Sequence, residues 1–131
     1  MMKGLDTNIL VRFYAQDDPE QAPRADEFLQ SLSFAEPGFI SLVSLIELVW
    51  VLRSQYRMTR QELIQCLEQL LDSPELIVEN HSAVNLALRR FSQYKTDFAD
   101  CLIERLGHAA GCIETVTFDV DAARSTGMRL L

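Results

Sequence analysis

The sequence has little of what marks disordered, fibrous and disulfide-stapled proteins. Its 131 residues include only five Gly, four Pro and three Cys. So little Gly and Pro excludes collagen-like repeats and argues against disorder. Cys66, Cys101 and Cys112 form no CxxC pair and are odd in number. Because no export signal fits before the acid at Asp6, we expect reduced thiols in a cytoplasmic protein.

Long apolar runs and an excess of basic residues are also missing. The most apolar stretch, residues 39–52, has 14 residues including Glu47, whereas a bilayer-spanning helix needs about 20. It predicts a buried helix and no membrane partner. Twelve Lys and Arg against 19 Asp and Glu give a net charge of −7, which argues against a nucleic-acid-coating module. That argument fails if the acids gather around divalent cations, because bound cations invert the local field.

What the sequence does contain is an alternation of short apolar runs and longer stretches with helical spacing. This pattern predicts an α/β fold with a parallel sheet, in a single domain of residues 1–131. The expected strands are residues 3–5, 38–41, 75–78, 113–118 and 128–130. Six helices are expected. The first follows Asp6, the second runs from about Pro19 to Leu32, and the third from Leu42 to Tyr56. The fourth begins at a Thr59–Glu62 capping box, the fifth runs from about Ser82 to Tyr94, and the sixth from about Asp97 to Ala110.

Acidic residues stand at the ends of two predicted strands. Asp6 follows the first strand, and Asp119 follows the strand at residues 115–118. Ligands of open α/β sheets bind outside the carboxyl ends of the strands, so we expect both side chains to face one crevice. The alternative, for either acid alone, is a helix N-cap or a turn residue.

Glu47 is a candidate metal ligand because apolar residues flank it on both sides in the sequence. A buried carboxylate needs a cation, a hydrogen-bond network or a proton. The alternative to a metal ligand is a structural ion pair with an arginine, or a small polar window on the helix.

Asp97 and Asp100 are three residues apart, so they share one face of a helix. The alternative is a helix start at which Asp97 caps the helix and Asp100 complements its dipole. Glu104, four residues beyond Asp100, is either a third acid within reach or part of a solvated face.

Together these acids predict a site for Mg²⁺ or Mn²⁺, which take oxygen ligands. Two such ions can activate a water and stabilise the leaving oxygen of a phosphodiester. Nucleophile-elbow, P-loop and zinc-ligand spacings are absent. Crowded carboxylates without a cation repel one another, so we expect a raised pKa for at least one of them.

The same residues resemble the successive motifs of PIN-domain ribonucleases, especially the VapC toxins of bacterial toxin–antitoxin pairs. The matching segments are Leu5-Asp6-Thr7-Asn8, Ser44-Leu-Ile-Glu47, Asp97-Phe-Ala-Asp100 and Thr117-Phe-Asp119. The resemblance implies a PIN-like three-layer fold, with a five-stranded parallel sheet and helices on both faces.

The resemblance also implies a metal-dependent endoribonuclease. Its catalytic, metal-holding residues would be Asp6, Glu47, Asp100 and Asp119, with Asp97 as a further metal ligand or as an acid that orients one. The implied partners are an RNA substrate, a second copy in a homodimer, and a VapB-like antitoxin that covers the active-site groove.

Two other classes compete with this interpretation. One is a receiver-type module, and the other is a PIN-like scaffold that binds Mg²⁺ and a partner without cleaving RNA. Receivers pair acids after the first strand and place a Lys after the last long strand. Here one acid follows the first strand, and residues 117–131 contain no Lys.

The remaining candidates have weaker signals. A basic patch with one aromatic suits an RNA backbone and a stacked base, or it only complements a helix C-terminus. Two histidines lack companions at metal-ligand spacing, so we expect one at a helix start and the other on the surface or in packing. A single Trp is expected in the core or at a dimer interface. The patch consists of Arg53, Tyr56, Arg57 and Arg60. The two histidines are His81 and His108, and the tryptophan is Trp50.

Overall fold

Strands and helices alternate along the whole chain, as predicted. The computed structural model describes residues 1–131, which divide into a first unit, residues 1–79, and a second unit, residues 80–131. The first unit contains β1 (Lys3–Gly4), α1 (Thr7–Ala15), α2 (Gln21–Gln30), β2 (Gly38–Ile40), α3 (Leu42–Ser54), α4 (Arg60–Asp72) and β3 (Leu76–Val78). The second unit contains α5 (His81–Gln93), α6 (Phe98–Ala109), β4 (Val116–Thr117), α7 (Val120–Thr126) and β5 (Arg129–Leu130).

All strand pairs are parallel, but they form two sheets rather than one. In the first unit β2 pairs with both β1 and β3, so that Gly38 lies opposite Lys3 on one side and Leu76 on the other. In the second unit β4 pairs with β5, with Val116 opposite Arg129. All five expected strands are present and each pairs in parallel, but they form a three-stranded and a two-stranded sheet in place of the expected five-stranded one. Strands of two or three residues offer few backbone groups for a ladder, so each pairing is short.

Helix boundaries follow local hydrogen bonding. The predicted capping box is present, with the Thr59 side chain accepting from the Glu62 N–H and the Glu62 side chain accepting from the Thr59 N–H. Helix α2 begins at Gln21, two residues after the predicted start near Pro19. Asp18 caps the intervening turn, because its Oδ1 accepts from the N–H groups of Glu20 and Gln21. Helix α3 ends at Ser54, two residues before the predicted Tyr56.

The core of the first unit comes mainly from α3 and α4. Leu45, Leu48 and Leu52 are buried on one side of α3. The leucines predicted to form the inner face of α4 are also buried, which confirms its amphipathic pattern. These leucines are Leu63, Leu67, Leu70 and Leu71.

The core of the second unit lies between α5 and α6, which pack against each other. The rings of Phe91 and Phe98 meet edge to face, with centroids 5.7 Å apart and planes at 79°. Val84 and Leu102 are fully buried, as is the free thiol of Cys101. This packing fixes the position of α6 within the second unit. The first turn of α6 carries Asp100. None of the seven helices is both long and apolar enough to cross a membrane.

Candidate active site

Asp6 lies between β1 and α1, where a side chain follows the carboxyl end of a parallel strand. It is the N-cap residue of α1, and its Oδ1 accepts a hydrogen bond of 2.7 Å from the N–H of Thr7. The side chain is exposed. The capping role weighed against the metal role is therefore present, and it uses only Oδ1. Oδ2 is left for a ligand.

Glu47 is exposed, which corrects the expectation that it is a buried carboxylate. It lies in the middle of α3, whose opposite side carries the buried Leu45 and Leu48. Val43 and Trp50, four residues before it and three after it, share its outward face and are 79% and 63% exposed. The helix is therefore not covered on every side. Of the two places expected for Trp50, the core is wrong, and a dimer interface stays a prediction. The sequence did not reveal this exposed face, because the residues on it are apolar like those on the buried face.

Asp97 and Asp100 open α6 in the second unit. Asp97 is the N-cap residue, and its Oδ1 accepts from the N–H of Asp100 at 3.2 Å. Both side chains are half-buried. The capping interpretation of Asp97 is confirmed. It also fixes the backbone of Asp100 and so restricts where that carboxylate can point.

Asp119 lies between β4 and α7 and has the same arrangement as Asp6. Its Oδ1 accepts from the N–H groups of Asp121 and Ala122, at 2.8 and 3.1 Å. Its own N–H donates to Thr117 Oγ1 at 3.0 Å. The predicted helices did not include α7. Its sequence signals were a capping Asp119 and Gly127 at the C-cap, where φ is 86°.

Asp100 shows that the acids of the second unit lie near one another. Burial raises the pKa of the Asp100 carboxyl, and the negative charges of Asp97 and Asp119 raise it further. A raised pKa was predicted for a crowded carboxylate, and it is found at Asp100. The structure therefore places three of the five predicted acids near enough for their charges to interact. The other two, Asp6 and Glu47, belong to the first unit.

Glu104 does not join this acidic group as a free carboxylate. Its two oxygens accept from Arg105 at 2.6 and 2.9 Å in a two-point pair. The hydrogen bond from Arg105 lowers the pKa of Glu104, and the positive charges of Arg105, Arg90 and His108 act in the same direction. Of the two interpretations weighed for Glu104, the structure therefore supports neither the free third acid nor a purely solvated residue.

The other candidates take structural positions. Arg53 lies in the last turn of α3, where a cation complements the helix dipole. Tyr56 accepts a hydrogen bond from Arg12 at 3.4 Å. His81 begins α5 as expected, and His108 is exposed in the last turn of α6.

The acids of the second unit have the donor chemistry of a hard-cation site. Carboxylate oxygens are the ligands that Mg²⁺ and Mn²⁺ prefer. Burial is the main cause of the raised pKa of Asp100, and a cation would offset the further rise caused by the charges of Asp97 and Asp119. In the arrangement that the structure shows, however, no three His, Cys, Asp or Glu side chains form a group that could hold a metal ion.

Parallel strands followed by helix-capping carboxylates define an α/β protein with acids at its strand ends. The chain belongs to the PIN domain family, whose family model matches residues 4–127. That match spans both units. The chain is also similar to a "VapC ribonuclease" from Aquifex aeolicus (strain VF5), with 29% identity over 118 residues. The alignment covers 89% of this chain and 87% of the relative.

Proposed function

We propose that the protein is a metal-dependent endoribonuclease, the toxin component of a toxin–antitoxin pair, acting as a single PIN domain. Asp6, Glu47, Asp100 and Asp119 would be the catalytic residues and would hold Mg²⁺ or Mn²⁺, with Asp97 as a further metal ligand. The observation that carries this proposal is the acidic group around Asp100, in a chain of the PIN family. The similarity to a VapC ribonuclease supports RNA as the substrate.

The chain's own side chains would bind and orient the reacting groups. Asp119 receives two backbone N–H groups on Oδ1, so its free oxygen is held in a fixed direction. Asp6 is held in the same way by Thr7. Glu47 is exposed and can reach an RNA strand without disturbing the core. Divalent cations, when bound, would supply an activated water and stabilise the leaving oxygen of the phosphodiester.

Apolar surface beside the acids supports a protein partner. Val43 and Trp50 flank Glu47 on the exposed face of α3, and Phe118 and Val120 flank Asp119 with 83% and 52% exposure. Apolar groups left in water near a site favour cover by another protein surface. A VapB-like antitoxin that covers the acids would bury these groups, as would the interface of a homodimer.

Cleavage of a labelled single-stranded RNA, with Mn²⁺ and with EDTA, tests this proposal. We expect wild type to cleave only with the metal. Glu47→Gln and Asp100→Asn should lose cleavage by a factor of at least about 100, because each removes a charge from the cation site. Since Glu47 is exposed, its substitution should change the free energy of unfolding by less than about 0.5 kcal/mol.

A matched control is Glu68→Gln, which removes an exposed carboxylate from α4. It should cleave like wild type. Equal cleavage by Glu47→Gln and Glu68→Gln would remove Glu47 from the site. Binding of Mn²⁺ without any cleavage would instead favour the non-cleaving scaffold.

A further inference from the structure

Helices α1 and α2 line an open cavity of about 340 Å³ within the first unit. Its volume lies in the range of small-ligand sites, about 300–1,000 Å³. The cavity has no signal in the sequence, because its walls come from two helices that only the fold brings together. Two arginines line it, and none of its lining residues is an Asp or Glu. In a chain with a net charge of −7, an acid-free wall with two guanidinium groups favours an anion.

The two arginines are held differently. Arg12 Nε donates to Gln21 Oε1 at 2.8 Å, and its Nη1 lies 3.5 Å from Asp17 Oδ1. Arg12 is therefore positioned and partly neutralised. Arg24 is exposed on α2 and makes neither a hydrogen bond nor an ion pair through its side chain. Its guanidinium is the uncompensated charge of the cavity.

The remaining walls suit a nucleobase. Phe28 and Ile9 provide apolar surface, and Asn8 provides an amide. Gln21 Oε1 accepts a hydrogen bond from Arg12, so the side-chain N–H groups of Gln21 remain available as donors. The Lys3 ammonium lies 5.7 Å from the centre of the Phe28 ring, and Lys3 does not line the cavity. Aromatic rings and amide groups are what proteins use to stack and read single-stranded bases.

We propose that this cavity binds one nucleotide of the RNA substrate, its phosphate on Arg24 and its base against Phe28. The inference rests on the proposed function, which supplies the RNA substrate, and Asn8 places the cavity wall two residues after Asp6. A nucleotide supplies a phosphate for Arg24 and a planar base for Phe28 in a single unit, whereas an acidic side chain matches only the arginine. The cavity therefore favours RNA over a protein segment.

Fluorescence anisotropy with a labelled ten-nucleotide single-stranded RNA tests the proposal. The whole chain is used in EDTA, where metal-dependent cleavage stops, at several salt concentrations. Arg24→Ala should weaken binding about tenfold, the effect of losing one charge-assisted contact. The slope of log K against log salt should fall in magnitude by about 0.7, the value for one phosphate contact on a single strand. Arg89→Ala removes the same charge from the exposed surface of α5 and should change neither value.

Phe28→Leu separates stacking from charge. It should weaken binding about tenfold and leave the salt slope unchanged, because it removes a ring and no charge. Thermal melting of each variant checks that the fold is intact, and Arg24→Ala removes only exposed surface.

Equal affinity and equal salt slope for Arg24→Ala and Arg89→Ala would overturn the proposal. So would an acidic peptide that binds wild type but not Arg24→Ala, while RNA binding is unaffected. If RNA binds through Arg24 but no metal-dependent cleavage occurs, the cavity assignment stands and the proposed function fails. If wild type cleaves RNA while Arg24→Ala binds it like Arg89→Ala, the proposed function stands and this inference fails.

Discussion

At the scale of a single residue, Asp6, Asp97 and Asp119 each cap a helix, and the proposed metal site would give each of them a second role. Each caps a helix through Oδ1, which was the structural alternative to a ligand role. The two roles are compatible because a carboxylate has two oxygens and a cap needs only one of them. A capped carboxylate also loses little freedom when it binds an ion, since its backbone and one oxygen are already fixed.

We expect Asp100 to make the stability of the folded chain depend on pH. Its pKa is raised by burial and by the charges of Asp97 and Asp119. An acid whose pKa is raised by folding destabilises the folded state above that pKa, and the loss is recovered as the pH falls through it. In the absence of metal, Asp100→Asn should therefore melt at a higher temperature than wild type at pH 7. The difference should shrink near pH 4, about the ordinary pKa of Asp.

Thermal melting at the two pH values measures this effect. A matched control is Asp121→Asn, which removes an acid from the first turn of α7 as Asp100→Asn does from α6. Loss of an acid from a first turn is expected to lower stability slightly, through the helix dipole. A rise of equal size at both pH values would contradict the repulsion at Asp100.

At the scale of a single element, the end of helix α7 depends on the backbone conformation of its C-cap residue, Gly127. It has seven residues, begins at the Asp119 cap and ends at Gly127, whose φ of 86° lies in the left-handed region. Open space surrounds the Cα of Gly127, so a substitution there is penalised by backbone conformation alone. We expect Gly127→Ala to lower the free energy of unfolding by about 1 kcal/mol. Chemical denaturation followed by circular dichroism measures it.

Gly4→Ala is the control for that experiment. Gly4 also has open space around it, but its φ is not positive. Its substitution should change stability by less than about 0.5 kcal/mol. Equal losses at the two positions would show that the left-handed backbone at Gly127 contributes nothing.

Elements with strong local signals were predicted closely. The α4 helix was placed by its capping box, since Thr59 and Glu62 satisfy each other's N–H groups within four residues. The short α7 was missed because seven residues carry too little periodicity to reveal a face. The strands were recognised by their apolar runs, but their ends were not, because only pairing determines where a ladder stops.

Metal binding should stabilise the whole folded chain. A ligand that binds only the folded state adds RT ln(1 + [L]/Kd), about 2.7 kcal/mol at a hundredfold excess over Kd. We therefore expect Mn²⁺ to raise the melting temperature of wild type. Asp100→Asn should show a smaller rise, because it removes both a ligand and part of the repulsion that the cation relieves.

Differential scanning calorimetry with and without Mn²⁺ measures both shifts. Glu68→Gln, on the exposed side of α4, serves as the control and should respond like wild type. Equal shifts in wild type and Asp100→Asn would remove Asp100 from the metal site.

The sequence by itself determined the α/β class, the parallel pairing and the acids that begin the helices. These features depend on neighbours along the chain: hydrophobic period, caps and turn residues. Only the tertiary structure decided that Glu47 and Trp50 lie on an exposed face, and that Glu104 pairs with Arg105. The cavity between α1 and α2 was decided in the same way. Which side of an apolar helix remains uncovered depends on what packs against it, and that information is distributed over residues far apart in the chain.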